Sequence, residues 1–401
     1  MRTSTVAETA AWAGPENLGT RPGGVVAAAR PDDLSREVYC ILGMPVDVIG
    51  MSSVLRGIET AAASRAPFFI STPNLNFLVN SESDPDFRES LLMSDLCPAD
   101  GMPILWIAWF MGIPIKERIA GSDIFDALKF RRNSAKPLKT FLFGGAEGVA
   151  AAASRALNLA ARGLFCVGSL CPGFGSVAEM SQFETIDKIN GSEADFLVVS
   201  LGAKKGQSWL QHNHHRLLIP VRAHLGASMN FQAGKVRRAP PIIQKYGLEW
   251  LWRIKEEPYL WRRYWNDGGV LLRLLFTRVL PLAMLTWWLR LKYQPYGQDL
   301  VLTQAHGHES VTVSLSGPAT TRNVDRMIPV FREAIATKKR IKIDFSNTTV
   351  IDARFLGLLL MLRKRLRGSG VHPILIGLSP GLKRIFCLNG LGFLLSSDES
   401  A

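Results

Sequence analysis

Several features that mark common protein classes are missing from this sequence. Its five cysteines, Cys40, Cys97, Cys166, Cys171 and Cys387, are scattered and odd in number, and no Cys-x-x-Cys pair occurs. That excludes a disulfide scaffold and a zinc ribbon, and a reduced, cytosolic compartment is the expectation. The stretch MRTSTVAETAAWAGPENLGTRPGGVVAAARPDD has no continuous apolar core and does not read as a signal peptide. No segment reaches the roughly 18–20 uninterrupted apolar residues of a membrane-crossing helix. Negative charge is scarce: 34 Asp and Glu stand against 47 Lys and Arg, a formal net charge of +13 in 401 residues. Such an excess calls for anionic partners: nucleic acid, phosphorylated small molecules or an anionic membrane surface. No nucleic-acid-binding motif is present, and the basic residues are mixed with apolar ones, so no nucleic-acid partner is expected.

The chain is too long for one core, and its texture changes along its length. Residues 1–37, rich in Ala, Gly, Pro and Thr, read as a mobile tail. From 38 to 233 short apolar runs such as PFFISTPN, KTFLFGG, LFCVGSL and DFLVVSLGA alternate with helical segments such as GVAAAASRALNLAARG. That alternation predicts an α/β layer fold with a parallel, Rossmann-like sheet. Residues 234–293 form a basic, aromatic appendage: between Gly234 and Lys292 lie twelve Lys and Arg against four Asp and Glu, and six of the ten Trp fall between Trp250 and Trp288. YQPYGQ punctuates the chain, and a smaller α/β unit over 299–401 follows.

Candidate chemistry clusters at predicted strand ends, where open α/β sheets bind ligands. Thr72 and Asn74 follow the strand PFFI and can bond a sugar or nucleotide, although Pro and Asn also favour plain turns. Asp100 beside Gly101 is either a turn or a carboxylate held at a cleft as a general base. Arg118 can pair with it or bind a phosphate, and Ser122 or Asp123 is the expected cap of the next helix. Gly144 and Gly145 end a strand before an Ala-rich helix, a place where phosphates approach a backbone. The stretch matches neither a P-loop nor a dinucleotide fingerprint. Lys204, Lys205 and Gln207 follow another strand and suit a diphosphate, or form a solvated turn.

The words TPN, ADG, ERIAGSD, FLFGG, LVVSLGAKKGQ, GKVRRAP, GLEWLWRIKEEP and RRY, in this order, resemble the WecG/TagA/CpsF glycosyltransferases, glycosyltransferase family 26. The resemblance covers roughly 38–265. It implies an inverting enzyme that moves a sugar from a UDP-sugar donor to a polyprenyl-diphosphate-linked acceptor glycan, at the inner face of the cell membrane. It carries the family's Thr-x-Asn pair onto Thr72 and Asn74, its aspartate base onto Asp100 and its arginine onto Arg118. One word departs: where the family has Pro-Lys-Gln-Glu, this chain has Lys204-Lys205-Gly206-Gln207. No metal-ligand cluster is apparent, so no cofactor is expected, and fixed cations are assigned to the leaving UDP. The altered word keeps open a second reading, an inactive scaffold that recruits partners.

A lipid-linked acceptor accounts for the stretch GLEWLWRIKEEPYLWRRYW. Trp250, Trp252, Trp261, Trp265, Trp287 and Trp288 suit a membrane–water interface, and Lys and Arg suit anionic lipid. The family resemblance implies that such an appendage closes over the active site, which makes Arg238, Arg253, Arg262 and Arg263 candidates for the donor diphosphate. GGVLLRLLFTRVLPLAMLTWWLRLKY continues this theme: Arg273, Arg278 and Arg290 interrupt it and Pro281 is expected to break it, so reentrant or shallow insertion in the interface is expected and not a crossing. Residues 299–395 resemble a STAS domain, with Asp352-Ala353-Arg354-Phe355 where the familiar pattern is Asp-Ser-Ser-Gly. Arg354 replaces the phosphorylated residue, so no phospho-switch operates there. Asp352 reads as a helix cap. Docking of an unknown protein partner is the expected role of this domain.

Overall fold

A computed structural model describes residues 32–131, 136–160, 162–293, 299–368 and 370–395. All of the predicted break at YQPYGQ but Tyr293, and most of the predicted tail, lie outside these residues. Residues 32–37 are folded: Leu34 is buried in a hydrophobic core, and Arg36 pairs with Asp33 at 3.0 Å and Asp47 at 2.7 Å. The tail expected over 1–37 therefore ends earlier.

Two strands open the fold, β1 (Val38–Ile41) and β2 (Met44–Asp47), joined as an antiparallel hairpin. Leu42 and Gly43 form its turn with φ of 47° and 87°, the left-handed pair that two-residue hairpins require. Helix α1 (Met51–Ser64) leads to β3 (Phe68–Ile70), α2 (Leu75–Ser83), α3 (Pro85–Leu92), α4 (Met102–Phe110) and α5 (Gly121–Lys129). Then β4 (Leu138–Gly144), α6 (Val149–Ala160), β5 (Leu164–Leu170), α7 (Phe183–Asn190), β6 (Phe196–Ser200), α8 (Ala203–His212), β7 (Val221–His224) and α9 (Ser228–Gln232) complete the layer. The five strands β3 to β7 form one parallel sheet in the order β3-β7-β6-β4-β5. Apolar residues cover both faces of the sheet: Phe68 and Ile70 join the core with α1, α5 and α6, and Phe69 joins the core with Trp209 of α8. This is the predicted parallel α/β layer.

The appendage is helical: α10 (Pro241–Lys245), α11 (Glu249–Glu256), α12 (Trp261–Leu274) and α13 (Leu280–Tyr293). Pro281 does not break it. The turn Leu275–Val279 between α12 and α13 widens to a π-helix, and that turn absorbs the missing N–H and the ring, so the helix runs on.

The last unit holds β8 (Val301–His306), β9 (Ser310–Ala319), α14 (Val324–Ala336), β10 (Arg340–Ile351), α15 (Ala353–Arg367), β11 (Ile374–Ile376) and α16 (Pro380–Leu388), with sheet order β11-β10-β9-β8. Asp352 caps α15, accepting from the backbone N–H of Arg354 and Phe355 at 3.0 Å each. This unit does not stand apart. Its core includes Leu34, Val38 and Cys40 near the hairpin, Leu92 of α3, and Leu282 and Leu289 of α13. Helix α15 approaches β1 so closely that a Cβ on Gly357 would lie 2.0 Å from the Val38 carbonyl oxygen. Arg354, buried, donates to that same carbonyl at 3.1 Å. Lys364, also buried, donates to Asp33, Asp95 and the Ser94 carbonyl at 2.8, 2.9 and 3.0 Å.

Candidate active site

The carboxyl ends of β3 and β7 hold the centre of the site. Beyond β3 the chain runs Ser71-Thr72-Pro73-Asn74. Thr72 is buried beside Gly121. The Asn74 side chain caps α2, its Oδ1 accepting from the Phe77 N–H at 3.2 Å, and the same side chain also bonds Asp100. The Asp100 N–H donates to the Pro73 carbonyl at 2.9 Å, and the Ile119 N–H donates to the Ala99 carbonyl at 2.8 Å. Three separate loops, carrying Thr72 and Asn74, Asp100, and Arg118, are thus stitched together by main chain. Gly101, at φ 88°, lets the chain turn from Asp100 into α4.

The Asp100 carboxyl is pushed up to about 7. Burial is the main cause, opposed by the Arg118 guanidinium; the negative charges of Glu249 and Asp123 push further up, and the bond from Asn74 pulls down. Arg118 is itself held by Glu249 at 2.5 Å and Asp123 at 3.1 Å. Arg238 bonds Asp123 and also Asp126, the latter at 2.5 Å. A ladder of alternating charge therefore ties the α5 region to the appendage through Glu249 of α11. Neither Ser122 nor Asp123 is the cap of α5. The helix starts at Gly121, and the Asp123 carboxylate reaches back to accept from the Ala120 N–H at 3.2 Å.

The other residues singled out in the sequence fall into separate groups. Gly144 and Gly145 lie at the end of β4, where the strand order reverses, and the Gly145 N–H donates to the Ser200 carbonyl at 2.8 Å. Beside them, between turns 145–147 and 171–174, is a cavity of about 410 Å³. The fully exposed Phe174 stands at its edge. Asp100 is not in this cavity. It sits by β3, three strand spacings from β4, about 14 Å away across the sheet. Lys205 donates to the Gly175 carbonyl at 2.8 Å and so fastens the loop that walls the cavity. Lys204 pairs with Asp84 at 2.6 Å, and Arg253 with Glu257 at 2.6 Å. Gln207 lies fully buried, with its amide donating to Ser71 at 2.6 Å. It supports the β3 end from below and does not line an open cleft. Arg262 and Arg263 are exposed and form no ion pair among the described residues; each lies over a ring, Trp261 and Tyr264. Trp250, Trp261, Trp265, Trp287 and Trp288 are exposed, whereas Trp252 is half-buried and donates to the Arg237 carbonyl at 2.9 Å. Among the described residues no His, Cys, Asp and Glu group is placed to hold a metal ion.

Sequence reasoning passed over the carboxylates Glu249 and Asp126 and gave Asp123 only a capping role, although Asp123 and Glu249 sit inside the words ERIAGSD and GLEWLWR. It also passed over His224 at the end of β7. Burial pushes this imidazole down to about 4, which keeps it neutral, and its Nε2 has no hydrogen-bond partner in the structure. A Cβ on Gly206 would lie 2.2 Å from the His224 ring. The altered word of the sequence thus has a local reason: glycine at 206 makes room for this ring.

The model of the "Glycosyl transferase WecG/TagA/CpsF family" matches residues 39–283, and a "Mlab, STAS domain" model matches 302–396. An N-acetylglucosaminyldiphosphoundecaprenol N-acetyl-beta-D-mannosaminyltransferase of Bacillus spizizenii is 28% identical over 195 residues, 49% of this chain and 74% of that protein. A protein of the same name from Staphylococcus aureus is 24% identical over 216 residues, 53% of this chain and 82% of its own length. Among solved structures, the anti-sigma factor antagonist SpoIIAA in its unphosphorylated form matches 22% of this chain and 82% of its own, at 22% identity and a TM-score of 0.20. With more than half of its length matched by one family model, and with the predicted words gathered at one end of one parallel sheet, the chain belongs to the WecG/TagA/CpsF glycosyltransferase family.

Proposed function

We propose that the protein is an inverting glycosyltransferase that uses a UDP-sugar donor and a polyprenyl-diphosphate-linked acceptor in the synthesis of a bacterial cell-surface polymer. The acceptor's reactive hydroxyl gives its proton to Asp100 as its oxygen bonds the anomeric carbon. The bond from that carbon to the diphosphate breaks on the opposite face, and UDP leaves with the electron pair. The observation that carries this reading is the Asp100 carboxyl, raised to about 7 and held by Asn74 beside Arg118, at the carboxyl end of a parallel sheet. A base with that value is matched to a neutral working pH.

The donor's nucleoside end is assigned to the cavity beside Gly144 and Gly145, and its sugar extends along the strand ends toward Asp100. Arg118, Arg238 and Arg253 are already paired with carboxylates, so a diphosphate reaches them by sharing or displacing those partners. Glu249 on Arg118 stands where an anionic oxygen of the substrate would bind. Arg262 and Arg263 remain available for the diphosphate or for anionic lipid. In this reading cations, not a divalent metal, offset the leaving-group charge. The names of the relatives suggest N-acetylmannosamine as the sugar and N-acetylglucosaminyldiphosphoundecaprenol as the acceptor. The test is incubation of the full chain with a panel of UDP-sugars and synthetic polyprenyl-diphosphate glycans. Transfer with inversion supports the reading. Transfer by Asp100→Asn at the parent rate removes the base, and no transfer from any UDP-sugar removes the reading as a whole.

A further inference from the structure

The sequence placed interfacial aromatics only between 250 and 288. The structure adds another element, directly attached to the base. Helix α4 starts one residue after Gly101. Ile104, Ile107 and Ala108 face the core, whereas Trp106, Trp109 and Phe110 are 48%, 74% and 41% exposed. The Trp109 and Phe110 rings meet edge to face at 4.9 Å, so a compact aromatic knob ends the helix. The buried side of α4 shares its core with Leu274 and Val279 of the long appendage helix.

That long helix, Pro258–Leu289 in its apolar part, has the length and composition of a membrane span. Its contacts exclude a crossing in this fold. Asn76 donates to Asp267 at 3.3 Å, Arg278 pairs with Glu82 at 2.7 Å, and Leu282 and Leu289 enter the core of the STAS domain. The buried positions 267, 274, 282 and 289 recur about every seven residues, and the π-turn supplies the one extra residue between 274 and 282. One face is therefore covered by protein from end to end. The opposite face carries Trp265, Leu272, Phe276, Met284 and Trp287, all exposed. A crossing would strip this helix from both domains.

We infer that the α4 knob and the exposed face of the α12–α13 helix form one surface that embeds in an anionic lipid bilayer, with the long helix lying in the membrane plane. Charge selects lipid over a second copy of the chain. Arg262, Arg263 and Arg273 are exposed on the same helix, in a segment with twelve basic and four acidic residues. Cationic side chains beside Trp suit headgroup phosphates, whereas the centre of a protein interface is depleted of charge. Nine residues of α4 span about 13 Å, so Asp100 stands roughly that far from the embedded knob.

The test is flotation of the full chain with vesicles of phosphatidylglycerol and phosphatidylcholine. The wild type is expected to float. The Trp106→Ser/Trp109→Ser/Phe110→Ser variant is expected to bind at least tenfold more weakly while keeping its melting temperature and its turnover of a short-chain, water-soluble acceptor. Flotation of the triple variant at the wild-type level overturns the inference. So does a wild-type dimer that ignores vesicles and dissociates in the variant. Quenching of wild-type tryptophan emission by brominated phosphatidylglycerol gives a reading that needs no variant; its absence counts against the surface in the same way. Flotation without transfer from any UDP-sugar leaves the surface standing and sinks the catalytic reading alone.

Discussion

The sharpest consequence of the site concerns Asp100 and pH. As the proposed base it must be ionised before the acceptor binds, and its pKa in the free protein is about 7. At pH 6 such a group is about 10% ionised and at pH 8 about 90%, so kcat/KM should climb roughly tenfold between them. Neighbouring charges set where the limb lies. Glu249 raises this pKa and Arg118 lowers it, so Glu249→Gln should move the limb to lower pH and Arg118→Gln to higher pH. The same shift bears on stability. An acid with a raised pKa in the folded state opposes folding once the pH passes its unfolded value, and the cost is complete above the folded value. From the ordinary 3.8 to about 7 that amounts to roughly 4 kcal/mol, an upper limit because the carboxyl keeps some solvent contact. Asp100→Asn should therefore abolish transfer yet stabilise the protein at pH 8, with little gain at pH 3. The assays are initial rates with a fixed UDP-sugar from pH 5 to 9, and denaturant melts at both ends. A limb near pH 4, or one that ignores both charge variants, would refute the reasoning.

Other outcomes follow from single contacts. Lys364→Ala leaves Asp95 without its cation and Asp33 with Arg36 alone, and should cost about 3 kcal/mol in urea unfolding. The core that joins the STAS domain to the hairpin and to α13 should make the full chain unfold in one transition by calorimetry, not two. Gly206→Ala drives a methyl group into the His224 ring and should destabilise by about 1–3 kcal/mol. Adding His224→Ala should recover at least about 1 kcal/mol of that in a double-mutant cycle. Excess chelator should leave the transfer rate unchanged; a falling rate would return the leaving-group role to a divalent ion.

Much of the layer fold was legible because buried parallel strands are short unbroken apolar runs, and PFFI, FLVVS and LKTFLFG are such runs. Strand ends were legible too, since Pro, Asn and Gly punctuate them, and Thr72, Asn74 and Asp100 do gather there. The pairing of the cations was not. Arg118 meets Glu249 across 131 residues and Arg238 meets Asp123 across 115, separations that no local pattern encodes. Helix α4 was hidden for a different reason. MPILWIAWF is apolar on every side, so its periodicity cannot say which face is covered, and the exposed one emerges only when α12 takes the other.

The same ambiguity bears on the STAS domain, where the sequence held a clue. ARFLGLLLMLRKRLR, helix α15, has eleven buried residues, more than a helix lying on one sheet would bury. A helix apolar nearly all round needs cover on more than one side. The four-stranded sheet supplies one cover, and the β1–β2 hairpin supplies the other, with Gly357 admitting the main chain of Val38 and Arg354 bonding it. The start of α15 is thus occupied by the glycosyltransferase unit of its own chain. Because Leu282 and Leu289 of α13 enter the same core, the domain also holds the appendage that brings Glu249 to Arg118. Its fusion to the enzyme therefore has a physical account: it braces the long helix, so that Glu249 beside Arg118 and the apolar face keep one fixed relation.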